Sequence, residues 1–211
     1  PIFNRHKKPI AAISVSGIVN KMENENAQEI IEDVKNVAKY RMIPCIKASG
    51  TGVIDYAVIT HADKDHISGI EEILNMNTEN GLTIRNLVMP HVSYEDEAYD
   101  ELLTAAKTKG IQVLYIKEGD TMKLGKVEIK CIHPDGKYIS DNRNDYSTVL
   151  SLKYENFSAL FTGDIPAEIE KSIINKIDNN YTILKVAHHG SKYSSDMEFL
   201  KKVMPAYSVI S

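Results

Sequence analysis

Two histidines and two aspartates fall within six residues of this chain, at His61-Ala62-Asp63-Lys64-Asp65-His66. An apolar run over 54–59 leads into them, and Ile67, Ile70, Ile73 and Leu74 lead out at helical spacing. The cluster therefore belongs on a turn between a buried strand and an amphipathic helix. Alternate residues of an extended turn point the same way, so His61, Asp63 and Asp65 can converge, with His66 closing the group from the first helical turn. Crowding imidazoles and carboxylates costs free energy unless something compensates, and a divalent cation is the obvious compensation. A plain polar turn, with Asp63 or Asp65 as a helix N-cap, explains one aspartate and not four ligand groups.

The 211 residues, 43% of them hydrophobic and 26% charged, suffice for a single large globular domain over 1–211. No run is long enough to cross a bilayer and no secretory signal is visible, so the chain reads as soluble as given. It starts at Pro1 rather than Met and stops on an apolar run at Ser211, so both ends read as cut. A net charge of -4 argues against holding nucleic acid by charge alone. Cys45 and Cys131 lie far apart in apolar contexts and read as buried thiols rather than a disulfide or a metal pair.

The periodicities predict helices over 24–40, from Pro44 to the glycines at 50 and 52, over 93–109 with Ser93 as N-cap, and from Pro166 to about 178. A capping box, Ser195-x-x-Glu198, is expected to start the last helix. Strands are predicted over 9–15, 54–60, 83–89, 112–117, 127–132, 183–187 and 207–210, with a hairpin of 148–154 and 157–162. His6 falls in a basic, solvated stretch, His91 in an exposed loop and His133 at a strand end. Alternating strands and helices followed by a hairpin suit an α/β fold of two sheets faced by helices.

Three further stretches carry polar chemistry: Phe161-Thr162-Gly163-Asp164 after an apolar strand, Leu184-Lys185-Val186-Ala187-His188-His189-Gly190-Ser191, and Asn144-Asp145-Tyr146-Ser147-Thr148-Val149-Leu150. Together with the first cluster they resemble the motifs of the metallo-β-lactamase superfamily. The common first motif there is His-x-His-x-Asp-His; Asp63 stands in place of its second His, a form similar to the ComEC-like branch of DNA-uptake proteins. The resemblance implies an αββα sandwich and two divalent metal ions, Zn2+ or Mn2+. It implies His61, Asp63, Asp65, His66, Asp164 and one of His188 and His189 as ligands. Asp164 would bridge the two metals, and the other of the two histidines would face the substrate. We assign His188 to the metal and His189 to catalysis, although the sequence alone does not fix which is which. Asp65 and Asp164 are expected at strand ends outside the packed core. Backbone N–H groups from Gly190 to Lys192 could form an anion nest, with Ser191 and Lys192 touching a phosphate. Asn144, Asp145 or Ser147 would fill the place where many relatives carry a metal-binding His, with Asn144 and Ser147 toward substrate.

Counting charge, Asp63, Asp65 and Asp164 offset most of two dications, and a hydroxide between the metals leaves the group near neutral. Replacing a histidine ligand by Asp63 hardens the ligand set and helps Mn2+ compete with Zn2+. The implied activity is hydrolysis of a phosphodiester, on nucleic acid, by metal-held hydroxide that Asp65 orients. In such proteins the domain is joined to a membrane channel, which would place it on the extracytoplasmic face. No partner protein is evident. Two rivals stand beside this reading: a hydrolase of a small phosphodiester or other ester, and a truncated, inactive metal-binding module. The chain lacks the Asp-Val-Gly-Gln-Gly-Asp and Asp-Gly-Gly stretches near the start and a His-Pro motif after the last strand. Those segments would carry edge strands.

Overall fold

The computed structural model describes residues 2–3, 9–11, 38–76, 82–93, 96–137 and 140–210. The chain divides into two compact units: Pro1–Val88 with Asp96–Leu114, and Met89–Glu95 with Tyr115–Ser211. Among the described residues there are five α-helices and two main sheets, a mixed α/β fold as the sequence predicts.

In the first unit, β1 (Ile2–Phe3) and β2 (Pro9–Ala11) form a short antiparallel ribbon. Most of the helix expected over 24–40 lies outside the described residues. Its end, Ala38–Met42, is a π-helical turn that runs into α1 (Ile43–Ala48), with Pro44 in the first turn. β3 (Val53–Val58) pairs in parallel with β4 (Thr83–Pro90), and β5 (Gln112–Ile116) completes a sheet of order β3-β4-β5. The last four residues of β4 are all buried, as expected where a parallel strand is covered on both faces. Between β3 and β4, α2 (Lys64–Asn75) buries Ile67, Ile73 and Leu74. On α2, the Glu72 carboxylate accepts from the Ala38 and Lys39 N–H groups, each at 3.0 Å, and so ties the π turn to the helix.

The next helix, α3 (Glu97–Thr108), starts later than predicted. Its N-cap is Asp96, whose carboxylate accepts from Ala98 N at 2.9 Å. Ser93 lies outside the helix and spends its hydroxyl on the Gly136 carbonyl. Gly110, at φ 68, closes the C-terminus with the left-handed conformation that favours glycine. Cys45 is exposed, contrary to the buried thiol expected of it.

The second unit holds a six-stranded sheet of order β11-β10-β9-β8-β7-β6. β6 (Thr121–Leu124), β7 (Val127–His133), β8 (Val149–Tyr154) and β9 (Phe157–Phe161) are antiparallel. β10 (Ile183–Lys185) and β11 (Tyr207–Val209) continue in parallel from β9. β6 was not foreseen: it is a short edge strand with alternating exposure, turning into β7 through Gly125-Lys126. α4 (Ala167–Ile173) and α5 (Met197–Val203) pack Ile169, Ile173, Phe199 and Val203 against Ile132, Val149, Leu160 and Leu184. Each such side chain contributes about 1.5–3 kcal/mol by leaving water.

α4 stops short of 178 because Lys176 N closes back on Ile173 O in a tight turn. The capping box at α5 does not form. Ser195 has φ 66, and the N-cap is Asp196, which accepts from Glu198 N. Instead, Glu170 on α4, fully buried, accepts from Ser195 N at 2.9 Å and Asp196 N at 2.7 Å. Cys131 is buried as expected, and that burial pushes its thiol up to about 12.

Candidate functional site

Each unit carries a polar cluster of its own. In the first, Ile59 N bonds to Val88 O at 2.9 Å and so extends the sheet past the end of β3. Ile59, Ala62 and Ile67 are buried, which pins both ends of the Thr60–His66 turn. His61 is fully buried, and the His66 side chain is 4% exposed. Their rings lie 4.1 Å apart between centroids. The Thr60 hydroxyl stands 3.1 Å from His61 Nδ1 and 3.3 Å from His66 Nδ1. On the opposite edges, His61 Nε2 faces Asp63 Oδ2 at 3.6 Å, and His66 Nε2 faces Asp65 Oδ2 at 3.5 Å.

Asp63 is the N-cap of α2 by position, yet its side chain makes no capping bond. The polar-turn explanation of the cluster therefore fails for Asp63. Asp65 sits in the first turn of α2 rather than at a strand end.

Thr60 gives the turn a donor chemistry suited to a metal. A hydroxyl oxygen has two lone pairs and can accept from both Nδ1–H groups at once. In that arrangement both imidazoles would carry their protons on Nδ1 and turn Nε2 toward the two carboxylates. Metal-binding histidines are oriented in this way by a partner on their other nitrogen.

The second cluster follows β9. Asp164 is 3% exposed, so it is not outside the packed core as expected. Its N–H donates to Ser147 Oγ at 3.0 Å. Its Oδ2 lies 3.2 Å from His189 Nε2, and its Oδ1 lies 3.3 Å from Lys185 Nζ. Lys185 Nζ also donates to the Gly163 carbonyl at 3.0 Å, which accepts from His188 N as well. The Thr162 hydroxyl donates to Lys185 O at 2.6 Å, fastening β9 to β10 at this point.

His188 and His189 both have positive φ, at 49 and 53. Two adjacent non-glycine residues in the left-handed region are strained, typically by about 1 kcal/mol or more each, and such strain gathers at functional sites. The imidazole placed against Asp164 is that of His189; the His188 ring lies 6.2 Å from it between centroids.

The substrate assignments divide. Ser147 supports the Asp164 backbone. Ser191 Oγ accepts from Tyr193 N, and Ser191 N donates to His188 O, which removes that N–H from the expected nest. Lys192 is exposed and lies over the Tyr193 ring at 5.0 Å. Asn144 is half-buried in a 3-10 turn, its N–H bonded to Asn142 Oδ1. Asp145 accepts from Ser140 and Asn142, which organises the loop. His133, at the end of β7, donates to Asp145 O, and burial holds it below the ordinary histidine value.

No protein-family model matches the chain. Curated relatives do. ComE operon protein 3 of Bacillus subtilis (strain 168) is 30% identical over 171 residues, 81% of this chain and 21% of that protein. Competence protein ComA of Neisseria gonorrhoeae is 27% identical over 177 residues, 82% and 22% of the respective chains. The chain resembles the ComEC-like branch of the metallo-β-lactamase superfamily.

This ComEC-like chain spans about a fifth of the length of those relatives. Among solved structures, CmlA, a diiron β-hydroxylase from Streptomyces venezuelae, superposes with TM-score 0.51 at 13% identity, over 76% of this chain and 36% of that one. The metallo-β-lactamase fold protein YhfI from Bacillus subtilis gives 0.46 at 11% identity, over 75% and 67%. The likeness to CmlA is one of fold alone. No helix among the described residues is long and apolar enough to cross a membrane.

Sequence reasoning gave no role to Thr60 or Lys185. The signal for Lys185 was a charged residue closing the apolar run Ile183-Leu184 of a buried strand. Nothing local marked Thr60, because its role depends on two rings folding back to it.

Proposed function

We propose that the chain is a metal-dependent phosphodiesterase acting on nucleic acid. His61, Asp63, Asp65 and His66 of the first unit would be metal ligands, and so would Asp164 and one of His188 and His189 of the second; the metal would be Mn2+ or Zn2+. The observation that carries this reading is the Thr60 hydroxyl set between two Nδ1 atoms, with both Nε2 atoms against carboxylates. When bound, the metal supplies Lewis acidity and an activated water. Asp65, half-buried, would take the proton from that water, and His189 Nε2 would return one to the leaving oxygen. That nitrogen stands 3.2 Å from Asp164 Oδ2, which fixes the direction in which the ring points. The competence protein among the curated relatives supports nucleic acid as substrate, and attachment to a membrane-channel portion is part of the same proposal.

The net charge of -4 favours a second reading, a small phosphodiester as substrate. One experiment separates them. The metal-free protein is reloaded with Mn2+ or Zn2+, then assayed on a chromogenic phosphodiester and on single-stranded DNA. Cleavage of DNA with Mn2+ is expected. Activity on the chromogenic ester alone favours the small substrate, and protein that binds neither metal ends both readings. Asp63→His should shift the preference from Mn2+ toward Zn2+.

A further inference from the structure

The family resemblance makes Asp164 a bridge between two metals. The structure places an ammonium on one of them. Lys185 Nζ lies 3.3 Å from Oδ1, and a second bond to the Gly163 carbonyl at 3.0 Å holds it there. The side chains of Lys185 and Asp164 are 11% and 4% exposed, so neither charge can turn to water without a large rearrangement. The Lys185 backbone is fixed as well, by the Thr162 hydroxyl on its carbonyl and by pairing of β10 with β9. The remaining oxygen, Oδ2, faces His189.

We infer that Lys185 takes the place of a second metal at Asp164. The carboxylate then serves one divalent cation through Oδ2 and does not bridge, so the chain holds one metal rather than two. A dication at Oδ1 would sit within a few ångströms of the ammonium, with little water between them to screen the repulsion. Lys185 also brings to Asp164 the positive charge that the charge count of the sequence assigned to a second metal. It is a positioning residue: it fixes which oxygen Asp164 offers and leaves the chemistry to other groups.

This inference rests on the metal-dependent reading above, and the test keeps the two apart. Mn2+ is titrated into the metal-free wild-type chain, Lys185→Met and Lys185→Arg, and bound metal is counted by elemental analysis and by electron paramagnetic resonance. Lys185→Met keeps the unbranched stem, one atom shorter, and removes its charge; Lys185→Arg keeps the charge. We expect one metal and an uncoupled Mn2+ spectrum for wild type and Lys185→Arg. For Lys185→Met we expect two metals and an exchange-coupled spectrum. Two metals in wild type overturn the inference and leave the metal-dependent reading standing, as does a single metal in a folded Lys185→Met. No metal in any of the three proteins overturns both. Should Lys185→Met fail to fold, the wild-type count and Lys185→Arg still decide.

Discussion

The two polar clusters meet the same problem, crowded carboxylates and imidazoles, in opposite ways. The Thr60–His66 turn carries two aspartates, each more than a third exposed, and a hydroxyl that orders two imidazoles. The Asp164 cluster is buried and contains its own cation, Lys185. The first sets its carboxylates against imidazoles, while the second already holds an ammonium against its carboxylate. Loss of metal should accordingly disturb the first turn more than the second.

The largest test of that contrast is Asp164→Asn. Removing one partner of a buried ion pair leaves the other charge uncompensated, at a cost of about 3–5 kcal/mol. We expect the metal-free variant to melt well below wild type, and Lys185→Met with Asp164→Asn to recover part of the loss. Chemical denaturation without metal measures it. If metal-free Asp164→Asn is as stable as wild type, Lys185 does not neutralise the cluster and the contrast disappears.

Thr60→Val probes the other side. The shapes are matched, but the acceptor for both Nδ1–H groups is gone. Removing such an orienting partner typically weakens metal affinity about 10–100-fold. Calorimetric titration of Mn2+ into both proteins reads the change. An unaltered affinity, with the fold intact, would mean that the imidazoles are ordered by packing alone.

These two residues also show where the sequence stopped being legible. The ligand-bearing stretches could be read because each is local: an apolar strand, a short polar turn, then a helix or a glycine. α1, β3, α2, β4 and the β8–β9 hairpin were recoverable for the same reason. What escaped depends on partners far away in the chain. Lys185 acquires meaning from Asp164, and Thr60 from the fold of two rings around it. Ser195 looked like a cap because Glu198 follows at the right spacing. Glu170, on a different helix, takes the N–H groups of Ser195 and Asp196 instead. Ser93 lost the cap of α3 to Asp96 because its hydroxyl is engaged by Gly136. β6 lacked the apolar run by which the other strands were found.

A smaller effect separates caps from ligands. Asp96 caps α3 through its side chain and Asp63 does not cap α2, although both hold the N-cap position. Asp96→Ala should lose about 1 kcal/mol of stability with or without metal. Asp63→Ala should lose less stability than Asp96→Ala without metal, and it should weaken metal binding. Paired melts in the presence and absence of Mn2+ check this, and an equal loss for both variants without metal would return Asp63 to a structural role.

The smallest expected effect concerns pH and the support beneath the second cluster. His133 donates to Asp145 O, in the loop that delivers Ser147 to the Asp164 backbone. Burial depresses its pKa, outweighing the hydrogen bond and the nearby Asp135, both of which raise it. The folded protein thus keeps His133 neutral, whereas the unfolded chain takes up a proton near pH 6.5, the ordinary histidine value. Below that pH the unfolded state binds more protons, so this group's contribution to stability falls as pH drops from about 6.5 toward the folded value. His133→Gln retains a donor for the carbonyl and cannot titrate. Glu170, whose pKa burial raises, acts in the opposite sense, but it is common to both proteins and cancels in the difference. Urea denaturation of both proteins at pH 7 and at pH 5 should show a steeper loss for wild type. Parallel losses would mean that His133 is as free to protonate when folded as when unfolded, and that the Asp145–Ser147 loop is not a pH-sensitive support.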